Sequence, residues 1–150
     1  MKINREQMLH TLIEKLHHAL KEMHAGQSFN FGEYILSRPQ VVILFCIAEK
    51  ESGVSVKELT MLMQVTPGAV TQFIDSLVEK KLVIREVDEA DRRSIIIKLT
   101  PRAKKQFKNF KCSYFSTVGQ VFEDFSLADL EQFGLLLEKI KSPALKNKHI

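Results

Sequence analysis

The chain has 150 residues, 45% of them hydrophobic and 27% charged. That balance belongs to an ordinary globular domain and excludes a disordered tail, a fibre and a disulfide scaffold. The net charge of +4, from 22 Lys+Arg against 18 Asp+Glu, is a modest basic excess that admits nucleic acid as a partner.

A chain of this length buries ~70% of its extended surface on folding, so its core needs no covalent or metal staple. The longest apolar run, Val41 to Ala48, falls short of the ~18 residues of a membrane span. Glu6 stands where an export signal would be apolar, so a cytoplasmic chain is expected. Charge is also segregated along the sequence. Residues 85–111 carry nine basic and four acidic residues, whereas residues 112–138 carry five acidic and no basic ones. One stretch is suited to phosphate and the next is not.

In chain order, Asn4 opens a helical pattern with Leu9, Leu12, Ile13, Leu16, Leu20 and Met23 on one face, and Ala25-Gly26 is its expected stop. Residues 26–36 read as a loop or short turn. Ser37 and Gln40 form a capping box ahead of a nearly all-apolar helix through Val42, Leu44, Phe45 and Ala48, which reads as a buried central helix. Ser55 and Glu58 form a second box, and the helix they open is expected to run from Val56 to about Gln64. Thr66 is then an N-cap with Pro67 at the first helical position, where its missing N–H costs nothing.

The helix after Pro67 turns Val70, Phe73, Ile74 and Leu77 inward and leaves Thr71, Gln72, Asp75, Ser76 and Glu79 outward. Two short helices joined by three or four residues, the second polar outside, form a helix-turn-helix. Residues 82–87 and 94–99 are β-branched runs around the charged tip Asp88-Glu89-Ala90-Asp91-Arg92-Arg93, a hairpin. Thr100-Pro101 starts a long helix whose apolar stripe runs Phe107, Phe110, Tyr114, Val118, Val121 and Phe125. Ser126 to Asp129 starts a last helix bearing Leu130, Phe133, Leu137 and Ile140, and a basic tail follows from Lys141.

This order predicts a mainly α fold with a small β-hairpin wing (α+β): a winged helix-turn-helix flanked by extra helices. Leu59, Leu62, Val65, Thr66, Pro67, Val70 and Thr71, then Asp75, Leu77, Leu82 and Val83, and finally the run Asp91-Arg92-Arg93 through Leu99-Thr100, together resemble the MarR family of transcription regulators. The chain departs from that family's pattern in having Gln64 and Lys81 where glycine is frequent. Both sites are therefore candidates for positive φ, at ~1 kcal/mol for a residue with a Cβ. Gln72 replaces a frequent basic residue, which shifts the expected base preference from guanine towards adenine.

The resemblance implies one domain over residues 1–150, with dimerisation helices at 1–35 and 101–150 and a DNA-binding core at 36–100. It implies a homodimer on a pseudo-palindromic operator in double-stranded DNA, acting as a repressor relieved by a small-molecule effector. The expected DNA-binding residues are Thr66, Pro67, Gly68, Thr71 and Gln72 on the helix-turn-helix and Asp91, Arg92 and Arg93 on the wing.

No catalytic constellation, phosphate loop or metal box is visible, so neither an enzyme nor a resident cofactor or metal is expected. His10, His17 and His24 repeat every two turns, ~10 Å along a helix axis, too far apart to share an ion. Cys46 reads as inert core, and Cys112 follows Lys111. A protein-interaction module on the same fold, or a metal- or redox-sensing variant, stays open at this point.

Overall fold

The computed structural model describes residues 4–24 and 28–140. The expected helix stop at Ala25-Gly26 and the basic tail from Lys141 lie outside the described residues. Helix α1 is Arg5–His24. It opens with a reciprocal cap: the Asn4 N–H donates to Gln7 Oε1 at 3.1 Å and the Gln7 N–H to Asn4 Oδ1 at 2.8 Å.

Strands β1 (Phe29–Phe31) and β2 (Tyr34–Leu36) pair antiparallel. The loop expected over residues 26–36 is thus a tight hairpin, turned at Gly32 with φ +59. Three-residue strands are too short to show a period of two in the sequence. Their chemistry is nonetheless that of strands: Phe29, Phe31 and Leu36 are buried.

Helix α2 (Arg38–Ala48) follows and is the core element, burying Gln40, Val41, Ile43, Leu44 and Ile47. The Ser37 N–H donates to Gln40 Oε1 at 2.9 Å. Gly53, at φ +94, then turns the chain into the two-residue strand β3 (Val54–Ser55), which the sequence reading did not anticipate.

Helix α3 (Val56–Met63) is opened by the Ser55–Glu58 box, in which the Glu58 N–H donates to Ser55 Oγ at 3.2 Å and the Ser55 N–H to Glu58 Oε2 at 2.8 Å. Helix α4 (Pro67–Glu79) is capped by Thr66, whose Oγ1 accepts from the Ala69 N–H at 3.3 Å.

The expected positive φ angles are present at both non-glycine sites: Gln64 at 54° and Lys81 at 56°. Lys81 closes α4 with a paired motif in which the Leu82 N–H donates to the Leu77 carbonyl at 3.0 Å and the Lys81 N–H to the Val78 carbonyl at 2.8 Å. This satisfies carbonyls that the helix end would leave bare.

Strands β4 (Val83–Val87) and β5 (Ile95–Leu99) form the expected hairpin, and the sheet order is β3-β5-β4, antiparallel throughout. Register runs from Val83 opposite Leu99 to Val87 opposite Ile95. Val83, Ile97 and Leu99 are buried, so one face of the wing root belongs to the core.

Helix α5 (Pro101–Gly119) starts at Thr100, whose Oγ1 accepts from the Ala103 N–H at 3.2 Å and donates to the Lys81 carbonyl at 2.9 Å. The long helix expected to carry its stripe to Phe125 instead ends at Gly119. A 3-10 turn over Gln120–Phe122 tightens the chain there, and α6 (Leu127–Glu138) starts at the expected Ser126–Asp129 cap.

The described residues divide into two compact units between Ser116 and Thr117. In the first, Phe45 of α2 lies 5.1 Å from Phe107 and 4.9 Å from Tyr114, centroid to centroid, and Phe31 lies 4.9 Å from Phe110. These tilted and edge-on ring contacts fasten the β1–β2 hairpin and α5 to the core helix. In the second, Phe122 lies 5.4 Å from Phe125 and 6.0 Å from Phe133.

Candidate nucleic-acid interface

The helix-turn-helix places Thr66, Pro67 and Gly68 at the exposed start of α4, with Thr71 and Gln72 one turn further on and also exposed. The Thr71 hydroxyl donates to the Pro67 carbonyl at 2.9 Å. Its oxygen is left able to accept but not to donate, which suits the amino group of adenine or cytosine. The Gln72 amide has no hydrogen-bond partner among the described residues and keeps both functions. A Cβ added at Gly68 would meet nothing within 4 Å, so the open space there lies outside the fold.

Strands β4 and β5 carry the wing tip. Asp91 holds Arg93 through the backbone: Asp91 Oδ1 accepts from the Arg93 N–H at 3.0 Å and Oδ2 from the Ser94 hydroxyl at 2.7 Å. These two bonds, the Ser94 hydroxyl first, hold the Asp91 carboxyl below its usual range, since hydrogen bonds to a carboxylate favour the charged form. Asp88 turns the other side of the tip, accepting from the Ala90 N–H at 2.9 Å.

The tip's carboxylates at positions 88 and 91 are thus spent on shaping the loop. The guanidinium groups of Arg92 and Arg93 are exposed and have no ion pair or hydrogen bond among the described residues. A backbone-fixed loop presenting two unpaired cations carries the charge that the minor groove of B-DNA attracts.

Three contacts were not legible beforehand. Arg85 Nη2 of β4 meets Asp75 Oδ1 of α4 at 2.5 Å, tying the polar helix to the root of the wing. Arg102 of α5 is paired with Glu33 at 2.9 Å, which removes it from the basic residues offered to phosphate, while Lys104, Lys105 and Lys108 stay exposed. Lys98 Nζ meets Glu86 Oε2 at 2.8 Å across the wing. That bond comes first among the causes that raise the Lys98 ammonium above its ordinary range. Opposite charges on a helix and a later strand are common in any sequence, and only the fold selects which of them pair.

Among the described residues no group of three His, Cys, Asp or Glu side chains is placed to hold a metal. His10 Nδ1 lies 3.6 Å from Glu14 one turn on, and the His24 side chain lies outside the description. Burial, and then the Glu49 charge, push the Cys46 thiol up, which disfavours thiolate chemistry there. Cys112 is exposed on α5.

Residues 36–95 match the sequence profile of the MarR family. An uncharacterised HTH-type transcriptional regulator of Bacillus subtilis, YpoP, is 31% identical over 107 residues, covering 69% of this chain and 75% of that protein. The chain belongs to the MarR family. It is therefore a winged-helix transcription regulator, and the mainly helical fold with an antiparallel wing is that of its relatives.

The HTH-type transcriptional repressor YetL of the same organism is 25% identical over 129 residues, 86% of this chain and 74% of YetL. A mutant MarR of E. coli solved with operator DNA shares the fold at TM-score 0.70, with 19% identity over 93% of this chain and all of that one. Bordetella bronchiseptica BpsR, whose DNA binding is regulated by 6-hydroxynicotinic acid, shares it at TM-score 0.69, with 21% identity over 86% of this chain and 97% of BpsR. Among the described residues no helix is long and apolar enough to cross a membrane.

Proposed function

We propose that this MarR-family chain works in the cytoplasm as a homodimeric repressor, catalyses no reaction, and releases double-stranded operator DNA when a small molecule binds. In this reading α4 enters the major groove of each half-site and presents Thr71 and Gln72 to base edges. Thr66, Pro67 and Gly68 approach the backbone at its start. The wing tip, shaped by Asp91, lays Arg93 and Arg92 in the flanking minor groove. Two-fold related helices require half-site centres about one helical turn, ~10 bp, apart.

The observation that carries this reading is the pair of unpartnered guanidinium groups on a wing tip whose Asp88 and Asp91 carboxylates are engaged in fixing its backbone. The operator complex of the E. coli relative, the repressor role of YetL and the effector of BpsR supply precedents for binding, direction and relief.

The test is a fluorescence-anisotropy titration against the DNA upstream of the protein's own gene, at four or more salt concentrations, with a scrambled duplex as control. The reading requires tighter binding to the upstream DNA and log K falling steeply with log salt. Binding that ignores both salt and sequence would sink it and favour a protein-interaction module.

A further inference from the structure

Gln40 is the one buried polar side chain in the core of the described residues, and the family reading gives it nothing to do. Its two ends join distant parts of the chain. Oε1 accepts from the Ser37 N–H at the start of α2, while Nε2 donates to Ser76 Oγ of α4 at 2.9 Å, thirty-six residues away. Ser76 Oγ also accepts from Lys80 Nζ at 2.7 Å. Both lone pairs of that hydroxyl are therefore engaged.

The remaining buried residues of α2 and α4 are all apolar: Val41, Ile43, Leu44 and Ile47 on one helix, and Val70, Ile74 and Leu77 on the other. Apolar packing is non-directional, so it holds two helices together more firmly than it fixes their rotation. A turn of 20° about the axis of α4 moves a side-chain tip by roughly 2 Å, given a helix diameter of about 10–12 Å. Base-edge hydrogen bonds do not survive a shift of that size. A lone buried polar contact in an apolar interface is an established way of fixing register.

We infer that the Gln40–Ser76 hydrogen bond is a rotational lock on the reading helix, making Gln40 and Ser76 positioning residues for base recognition without touching DNA. Ser76 lies one turn beyond Gln72 on α4. Any rotation it permits is transmitted directly to Gln72 and Thr71. The inference rests on α4 being the helix that reads bases.

Gln40→Met keeps volume and burial. It frees the Ser37 N–H, on an exposed residue, to bond water and leaves Ser76 its bond from Lys80, so the protein should still fold. Two readouts test the lock. The first is the affinity ratio between a duplex selected by the wild-type protein from a random pool and its scrambled version. It should fall roughly tenfold in Gln40→Met, the loss of about one base contact, while scrambled-duplex affinity and salt slope stay put.

Ser76→Ala should do the same, and the double variant should fall no further, as a single shared bond requires. A merely structural role would lower Tm but leave the ratio unchanged. The second readout needs no DNA: amide NMR of both variants should show broadened or doubled resonances confined to α4. If Gln40→Met does not fold, Ser76→Ala decides alone. An unchanged ratio with sharp, single α4 amides overturns the lock. If the wild-type protein shows no sequence preference, the reading of α4 as the DNA-reading helix falls, and the NMR experiment decides the lock by itself.

Discussion

Lys81 and Gln64 hold left-handed backbone angles that glycine adopts without a steric penalty. The strain at Lys81 persists because the residue closes α4 through two backbone hydrogen bonds and offers its carbonyl to Thr100. Lys81→Gly keeps those bonds, relieves the Cβ clash and gives back part of the gain as unfolded-state entropy. A net stabilisation of about 0.5–1 kcal/mol is expected. The neighbouring Lys80 has an ordinary φ of −75, so Lys80→Gly should instead cost about 1 kcal/mol. Thermal melts of the two variants should move in opposite directions.

Arg93 and Thr71 separate in the same way by function. Arg93→Ala removes an exposed side chain, while the Arg93 N–H that Asp91 grips is kept. Stability should change by no more than ~0.5 kcal/mol, but each lost cationic contact should lower the salt slope of log K by roughly 0.9, or about 1.8 for two wings. Thr71→Ala should leave the slope alone and reduce discrimination between operator and scrambled DNA by ~1–3 kcal/mol per half-site. An Arg93→Ala protein with parental affinity and slope would remove the wing from the mechanism.

Helix α3 shows how one element depends on a single carboxylate. Glu58 accepts from the Ser55 N–H and the Ser55 hydroxyl, and Lys50 Nζ lies 2.5 Å from its Oε1. The Lys50 bond is the largest of the causes that lower its pKa to about 2. The folded value lies below the unfolded ~4.3, so the stabilisation is fully present above that value and disappears as pH falls through about 2. The Glu58 side chain is 44% exposed, and solvent screening limits the effect to no more than ~1 kcal/mol. Stability should fall between pH 4.5 and 2 in the parent, and less steeply in Glu58→Gln. Identical slopes in urea titrations across that window would show that the pair is not coupled to folding.

The cap at α3 was legible because everything it needs lies within four residues. The same holds for Thr66-Pro67, Thr100-Pro101 and Ser126–Asp129, and these caps place the elements that present Thr71, Gln72 and the wing. The β1–β2 hairpin and β3 were not legible, since strands of three and two residues carry no period. The end of α5 was missed because the Phe stripe continues past Gly119, so its spacing hid the break. At the candidate interface, Arg92 and Arg93 could be named from charge and position. The Asp75–Arg85 and Gln40–Ser76 contacts could not, because tertiary packing selects those partners.

At the scale of the whole molecule, the described chain leaves much apolar surface uncovered at its two ends. On α1, Met8, Leu9, Leu12, Ile13, Leu16 and Leu20 are exposed, Leu12 to 58%. On α6, Leu127, Leu130, Phe133, Leu135, Leu136 and Leu137 are exposed, Leu127 to 73%. Exposed apolar surface of this extent marks association, and a second copy is the partner that the proposed operator with two half-sites calls for. Leu12→Glu and Leu136→Glu test this without harming the single chain. Both positions are solvent-facing within it, and Glu and Leu have similar helix propensity, so circular dichroism should be unchanged. Sedimentation should shift the double variant from twice the 17.2 kDa chain mass towards the chain mass itself. DNA affinity should then collapse, because a single reading head makes about half the phosphate contacts. The salt slope, proportional to those contacts, should fall to roughly half that of the parent. Footprints should shrink from two half-sites ~10 bp apart to one. A double variant that still sediments as a tight dimer would place the interface elsewhere on the molecule, and one that is monomeric yet keeps the parental slope would separate dimerisation from DNA binding altogether.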